Sequence, residues 1–475
     1  MSLETTNALL DAVLAPAASQ PTARPVPDAA TDEIIGYAPQ HSVDDLNAAV
    51  EAARSAQPGW ASLGHQERSR LLRLAADEVD AHAGELANII SREQGKPLNG
   101  AGSRFEAAGC AVWLRSAADA VVEPEVVFEG PEGQRSEIYY DPLGVVGAIS
   151  PWNWPALIAI WQIAPSLRMG NTVVAKPSEY TPLSVLAVVE LMNRHLPQDV
   201  LTAVSSGDRE VGAALAAHPD VDKVMFTGST ATGRKIIESS AHNLARLTLE
   251  LGGNDPGIIL PGTDIEPLAE GLFWGAFINT GQTCAAMKRL YVHESQYEEA
   301  VQALATVASS LPMGAGVEES TALGPLSTDG QFRIVSDLVD DARQRGARIV
   351  TGGSPEPALG PRFFQATIVA DIDDDAPLVT EEQFGPVLPV VPYRTVDEAV
   401  DMANRLDAGL GASVWGEREE ALEVAGRIRS GTVWINQHGT LNPEVPFGGT
   451  KASGYGLEFG LHGLKAVASP KVVTV

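Results

Sequence analysis

The chain has 475 residues, 44% hydrophobic and 20% charged, which suits an ordinary globular protein too long for one compact core. Its formal charge of -28 argues against a nucleic-acid partner or an anionic membrane surface, because such a field repels phosphate. Two cysteines, Cys110 and Cys284, exclude a disulfide framework and, with no clustered histidines, a zinc site; no metal is expected, and a reducing, cytoplasmic setting is.

In chain order, residues 1–40 are rich in Ala, Pro and Thr and are expected to be irregular as far as Glu33-Ile34-Ile35-Gly36. The apolar run Ala8 to Ala18 follows no Lys or Arg and is interrupted by Asp11 and Pro16, so it does not read as a signal peptide. No stretch approaches the roughly 18 uninterrupted apolar residues of a membrane helix. Ser42 ahead of Asp44 and Asp45, with Leu46, Ala49, Val50 and Ala53 following, predicts a capped amphipathic helix. Two more helical patterns run through Leu71–Val79 and Leu86–Ile90, the last closed by Gly95-Lys96-Pro97. From Leu143 short β-branched runs (Val145-Val146, Thr172–Ala175, Asp222–Phe226, Gly257–Leu260) alternate with helical stretches such as Leu183–Arg194 and Gly233–Leu244, the pattern of βαβ units in a largely parallel sheet. Beyond Leu251 the alternation repeats: helices near Leu268–Thr280, Gln296–Ser309 and Arg333–Gln344, and strands near Arg289–His293, from Arg348 and over Phe364–Val369. Ser136–Tyr140 and Pro470–Val475 read as strands without helices of their own, to pair with each other or with a neighbouring subunit.

Four stretches carry chemistry. Val224-Met225-Phe226 leads through Thr227-Gly228-Ser229 into a helix, an order that seats a pyrophosphate on free N–H groups, although a plain strand–helix turn explains the glycines equally well. A P-loop reading fails because Arg234 and Lys235 stand where Lys and Ser or Thr are needed. Lys176-Pro177-Ser178-Glu179 ends a strand at the sheet edge that binds ligands; a carboxylate there accepts both ribose hydroxyls and repels a 2′-phosphate, which tilts the choice towards NAD without excluding NADP. Taken alone, that pair is better explained by solvated loop charges. Cys110 fits a buried small hydrophobe, whereas Cys284, in Asn279-Thr280-Gly281-Gln282-Thr283-Cys284, has polar, glycine-containing flanks. Glu250 is a lone acid in Leu247-Thr248-Leu249-Glu250-Leu251, where desolvation raises its pKa and suits it to general-base work; an acid facing solvent on alternate strand positions is the plainer alternative. In Pro151-Trp152-Asn153-Trp154-Pro155 rigid flanks fix one amide that can donate to an oxyanion or simply stabilise a turn.

Together these stretches resemble the aldehyde dehydrogenase superfamily, from about Thr31 to the C-terminus. The pieces stand in family order: Pro151-Trp152-Asn153, Lys176-Pro177-Ser178-Glu179, Phe226–Thr230, Glu250-Leu251-Gly252-Gly253, Gly281–Cys284, Glu381–Pro386 and Pro446–Gly449. The resemblance implies an α/β fold of two Rossmann-type domains plus a small β oligomerisation extension: residues 1–124 and 143–251 binding dinucleotide, 252–452 catalytic, 125–142 and 453–475 for oligomerisation. It implies NAD(P)-dependent oxidation of an aldehyde through a Cys284 thioester, with Asn153 and the Cys284 N–H as oxyanion hole and Glu250 activating water. Relatives that pass the acyl group to coenzyme A typically lack this acid. Lys176 and Glu179 would hold the adenosine ribose, Glu382 the nicotinamide ribose, and Phe384 would pack beside the nicotinamide. Ser229 would contact the pyrophosphate, and Ile149, Trp152, Gly212, Phe226, Gly228 and Leu251 would complete the groove. Glu458 would relay protons, although Leu457 stands before it where the family often has Arg. The substrate channel would be lined by Trp154, Ile158, Trp161, Thr283, Ala285, Leu441 and Phe447, a set without Lys or Arg that suits a neutral aliphatic or aromatic aldehyde. A homodimer or homotetramer is expected. A cofactor-independent thiol esterase and a non-catalytic protein on the same scaffold are the competing readings; the latter has no use for Cys284, Glu250 and Asn153 together.

Overall fold

The computed structural model describes residues 23–475, so the apolar run Ala8 to Ala18 lies outside the described residues. Arg24–Pro27 and Ile34–Ala38 pair as antiparallel strands; the first corrects the expectation of irregular chain before Glu33, and the second falls on the segment where that irregular stretch was expected to end. Ser42 caps the helix Val43–Ser62 in a capping box closed by Asp45, as its position ahead of the acidic first turn requires. The helices Gly64–Ala81, Ala83–Gln94 and Ser103–Asp119 follow, and Gly95 ends the second of these in a left-handed conformation.

The first α/β layer is a six-stranded sheet. Its strands lie in the order Gly454–Tyr455, Arg246–Glu250, Lys223–Thr227, Val145–Ile149, Thr172–Lys176, Leu201–Ala203, and all but the first are parallel. Chain direction across the sheet reverses between Val145–Ile149 and Lys223–Thr227, so the crevice outside their carboxyl ends is where such a sheet accepts a ligand. Both strands are buried on both faces, which explains their continuous apolar runs. Gly454–Tyr455, expected in the oligomerisation segment, joins this sheet antiparallel to Arg246–Glu250 instead.

The second layer is a seven-stranded sheet between residues 255 and 435, parallel except for Arg348–Thr351. The strand expected over Phe364–Val369 begins only at Thr367, because Phe364 makes an isolated bridge to Pro355. Ala468–Thr474, Arg135–Pro142 and Glu125–Glu129 form a separate antiparallel sheet, so the two late strand patterns pair with each other. Among the described residues no helix is long and apolar enough to cross a membrane.

Candidate active site

The two large sheets are joined by four residues, Leu251 to Asn254, between Glu250 at the carboxyl end of one strand and Asp255 at the start of the next. That short link brings the ligand edge of the first sheet against the segment that feeds the second. Helix Ala269–Phe277 ends there, and Asn279, Thr280 and Gly281 take consecutive left-handed conformations before Cys284. Thr280 tolerates this unfavourable geometry because its hydroxyl accepts from the Gly324 N–H at 3.0 Å. At Gly281 a side chain would collide with the Gly385 carbonyl, so only glycine fits.

Asn153 is pinned to the same turn. Its Nδ2 donates to the Gln282 carbonyl at 3.0 Å, and Asn279 Nδ2 donates back to the Asn153 carbonyl at 2.9 Å. Lys96, fully buried, donates to Glu106 at 2.5 Å and to the Asn153 carbonyl at 2.8 Å, and sits 3.5 Å above the Trp154 ring. The other Glu106 oxygen accepts the N–H groups of Ala156 and Leu157, capping the helix Pro155–Arg168. Trp154 Nε1 donates to the Thr283 hydroxyl at 2.9 Å. The amide, the tryptophan and the thiol turn thus form one hydrogen-bonded unit.

One cleft of about 800 Å³ opens at the switch point of the first sheet. Its wall holds Cys284, Glu250 and Asn153 together with all the residues expected to bind cofactor: Ile149, Trp152, Lys176, Glu179, Gly212, Phe226, Gly228, Ser229, Leu251, Glu382 and Phe384. Ser229 caps the helix Thr230–Ser240, whose N-terminus faces this cleft. Trp152 and Phe384 meet edge to face at 5.4 Å. A helix N-terminus between two carboxylates, Glu179 and Glu382, is the donor and acceptor set that a dinucleotide's pyrophosphate and two riboses require.

Burial governs the titration of the reactive groups. It pushes the Cys284 thiol up to about 12, against the pull of the Lys288 ammonium and with the charges of Glu250, Glu382 and Asp255 adding to the rise. Glu250 is held well above the usual carboxylate range, first by burial and then by the negative charge of Glu458; the Gly449 amide opposes the rise. Glu458, also buried, is pushed up to about 8 against the pull of Lys223. Neither Glu250 oxygen has a hydrogen-bond partner of ordinary geometry among the described residues.

Trp154, Ile158, Trp161, Ala285 and Phe447 belong to one buried apolar cluster, and Leu441 and Cys284 pack on its margin. The sulfur therefore lies between the polar cleft and an apolar compartment. Sequence reasoning missed Trp113 and Phe459, which contact Trp161 at 5.7 and 4.8 Å. It also missed Lys96, Glu106 and Lys288 as parts of the site. For Glu106 the available signal was a lone acid ahead of Ala107-Ala108; the residues around Lys96 carried none.

A dinucleotide cleft that ends on a thiol, a buried carboxylate and a fixed amide defines an oxidoreductase with a cysteine nucleophile. The model of the aldehyde dehydrogenase family matches residues 16–473. The putative aldehyde dehydrogenase DhaS of Bacillus subtilis is 36% identical over 98% of this chain and 94% of its own. Phenylacetaldehyde dehydrogenase of Pseudomonas fluorescens is 38% identical over 91% of this chain and 88% of its own. The structure of an NAD+ complex of aldehyde dehydrogenase from Bacillus cereus superposes with a TM-score of 0.92 at 35% identity, covering 96% of this chain and 93% of that one. The chain belongs to the aldehyde dehydrogenase family, and its reaction is the NAD(P)-dependent oxidation of an aldehyde.

Proposed function

We propose that this enzyme oxidises a neutral aliphatic or aromatic aldehyde to the carboxylic acid, with NAD preferred, through a thioester on Cys284. The observation that carries the reading is the position of Cys284, on the wall shared with Glu250 and on the margin of the apolar cluster. Lys176 and Glu179 hold the adenosine ribose, Ser229 and its helix the pyrophosphate, and Glu382 the second ribose, with Phe384 against the ring. When bound, the nicotinamide supplies the hydride acceptor.

The chain's own part begins with the thiol. An aldehyde hydrogen cannot leave with its electron pair until the carbon carries an oxyanion, so the Cys284 sulfur adds first, after its proton is lost to a base. The Asn153 amide and the Cys284 N–H stabilise that oxyanion. After oxidation to the thioester, Glu250 removes a proton from water, hydroxide adds to the carbonyl, and the C–S bond breaks to release the acid and the thiolate. Glu458 lies behind Glu250 and accepts the proton onward. The apolar cluster offers no cation to a distal carboxylate: Lys96, beside Trp154, is already paired with Glu106.

The relative named for phenylacetaldehyde supports an aromatic substrate. The expected division has residues 1–124 and 143–251 binding dinucleotide, 252–452 carrying the thiol, and 125–142 and 453–475 serving oligomerisation; the grouping of the strands into three larger sheets supports it, Gly454–Tyr455 excepted. Exposed Val126, Val127, Phe128, Val472 and Val473 support a homo-oligomer. Two free thiols fit a cytoplasmic location.

An aldehyde panel with NAD and NADP, followed by NADH absorbance, tests the reading. Hexanal and benzaldehyde should give the higher kcat/KM, and Cys284→Ala should give none. A far higher kcat/KM for succinic semialdehyde would overturn the substrate assignment.

A further inference from the structure

Lys288 is the second residue of the strand Met287–His293, four residues beyond the thiol, and its side chain turns back under the thiol's own turn. It is buried, and its ammonium donates to the Thr283 carbonyl at 2.7 Å and the Cys284 carbonyl at 3.0 Å. The same nitrogen lies 3.4 Å from Glu382, which in turn accepts the Gly253 N–H at 3.3 Å. The Thr283 carbonyl and the Cys284 N–H belong to one planar trans peptide and point in opposite directions. Holding that carbonyl therefore fixes the direction of the N–H that faces an oxyanion on the substrate. Three carboxylates, Glu250, Glu382 and Asp255, act on the sulfur from the surrounding elements, and Lys288 opposes them; His438, beside Asp255, is held neutral by burial, its pKa lowered to about 3.

We infer that Lys288 is a positioning residue for the thiol: its ammonium sets the orientation of the Cys284 peptide, supplies positive charge beside the sulfur, and ties that turn to the cofactor-facing carboxylate of Glu382. This rests on the reading of Cys284 as the nucleophile. Generic helix or strand packing explains none of these contacts, since a buried methionine would fill the space without desolvating a charge. The arrangement divides the labour between two polar groups. Asn153 contributes one oxyanion donor from its side chain, and Lys288 aligns the other through the backbone.

The test is the pH dependence of Cys284 alkylation by iodoacetamide, without cofactor, with Cys284→Ala as the blank. In the unsubstituted enzyme, alkylation should track the loss of oxidation; if it does not, the nucleophile reading itself fails. In Lys288→Met the profile should move to higher pH, with alkylation at least tenfold slower at pH 7.5, and kcat should fall far more than the KM for aldehyde changes. Lys288→Arg should restore most of the profile. Should Lys288→Met not fold, as judged by thermal unfolding, Lys288→Gln is read the same way, because it keeps a donor for the Thr283 carbonyl without the charge. An alkylation profile in the folded Met or Gln variant that superposes on that of the unsubstituted enzyme overturns the inference and leaves the role of Cys284 standing.

Discussion

The Lys96 ammonium donates to the Asn153 carbonyl at 2.8 Å, in a place where neither Lys96 nor its partner Glu106 reaches solvent. An ion pair in such surroundings gains little net stability, but losing one member leaves a buried charge uncompensated. Lys96→Met should therefore cost about 3–5 kcal/mol, read from the denaturation midpoint in urea. It should also lower kcat, because the strip holding the oxyanion amide loses an anchor. Unchanged stability would mean that Glu106 is satisfied by the helix N–H groups alone.

Asn153 itself is the sharper probe of the chemistry. Its amide already spends one N–H on the Gln282 carbonyl, leaving the other for the substrate. Removing one oxyanion donor typically costs about 10²–10³ in kcat. Asn153→Ala should fall in that range while the KM for cofactor stays within about twofold, measured by steady-state NADH formation. A loss below tenfold would assign the amide to the turn alone.

The paired carboxylates predict separate pH signatures in activity and in stability. Glu458 raises the pKa of Glu250, so Glu458→Gln should move the acid limb of kcat to lower pH. Stability follows from the sign of the shift. The folded pKa of Glu458, about 8, lies above its ordinary value of 4.5, so its contribution is complete below 4.5 and is lost as pH rises through 8. Glu458→Gln should therefore raise the melting temperature at pH 9 and change it little at pH 5. Equal shifts at both values would show that the carboxyl is not titrating in the fold.

Much of this was legible because each motif is a local arrangement. Ser42 with Asp45, the glycine turn after Phe226 and the apolar strand ending in Glu250 are set by neighbours in sequence. What was not legible depends on partners far along the chain. Lys96 meets Asn153 across 57 positions, and Trp113 meets Phe459 across the whole catalytic unit. Nothing in Gly95-Lys96-Pro97 distinguishes a buried lysine from a surface helix end. Gly454–Tyr455 was misplaced because two residues carry too little pattern to reveal their sheet. Lys288 was visible beside the thiol, but only the turn's reversal shows that it points back at Thr283.

Glu179 provides a test of cofactor choice. Its carboxylate lines the cleft beside the buried Lys176, while its backbone carbonyl is held by Arg24 at 2.5 Å, so the side chain can change without moving the loop. With the carboxylate gone, a ribose hydroxyl loses its acceptor and a 2′-phosphate gains access to Lys176. Glu179→Ala should lower kcat/KM for NAD and raise it for NADP, moving their ratio at least tenfold. An unchanged ratio would place the discrimination elsewhere in the cleft.

The small antiparallel sheet makes the last prediction. Its outer strands, Glu125–Glu129 and Ala468–Thr474, expose Phe128, Val127 and Val472, and an uncovered apolar edge strand is a template for another strand. With a formal charge of -28 per chain, copies repel one another at long range, so association must come from this short-range apolar surface and should strengthen as salt screens the repulsion. Phe128→Asp should shift sedimentation towards a smaller species, more so at 20 mM than at 500 mM salt, with little change in aldehyde oxidation per folded chain. If the variant sediments like the unsubstituted enzyme at both ionic strengths, copies associate through some other surface and the exposed valines have no part in it.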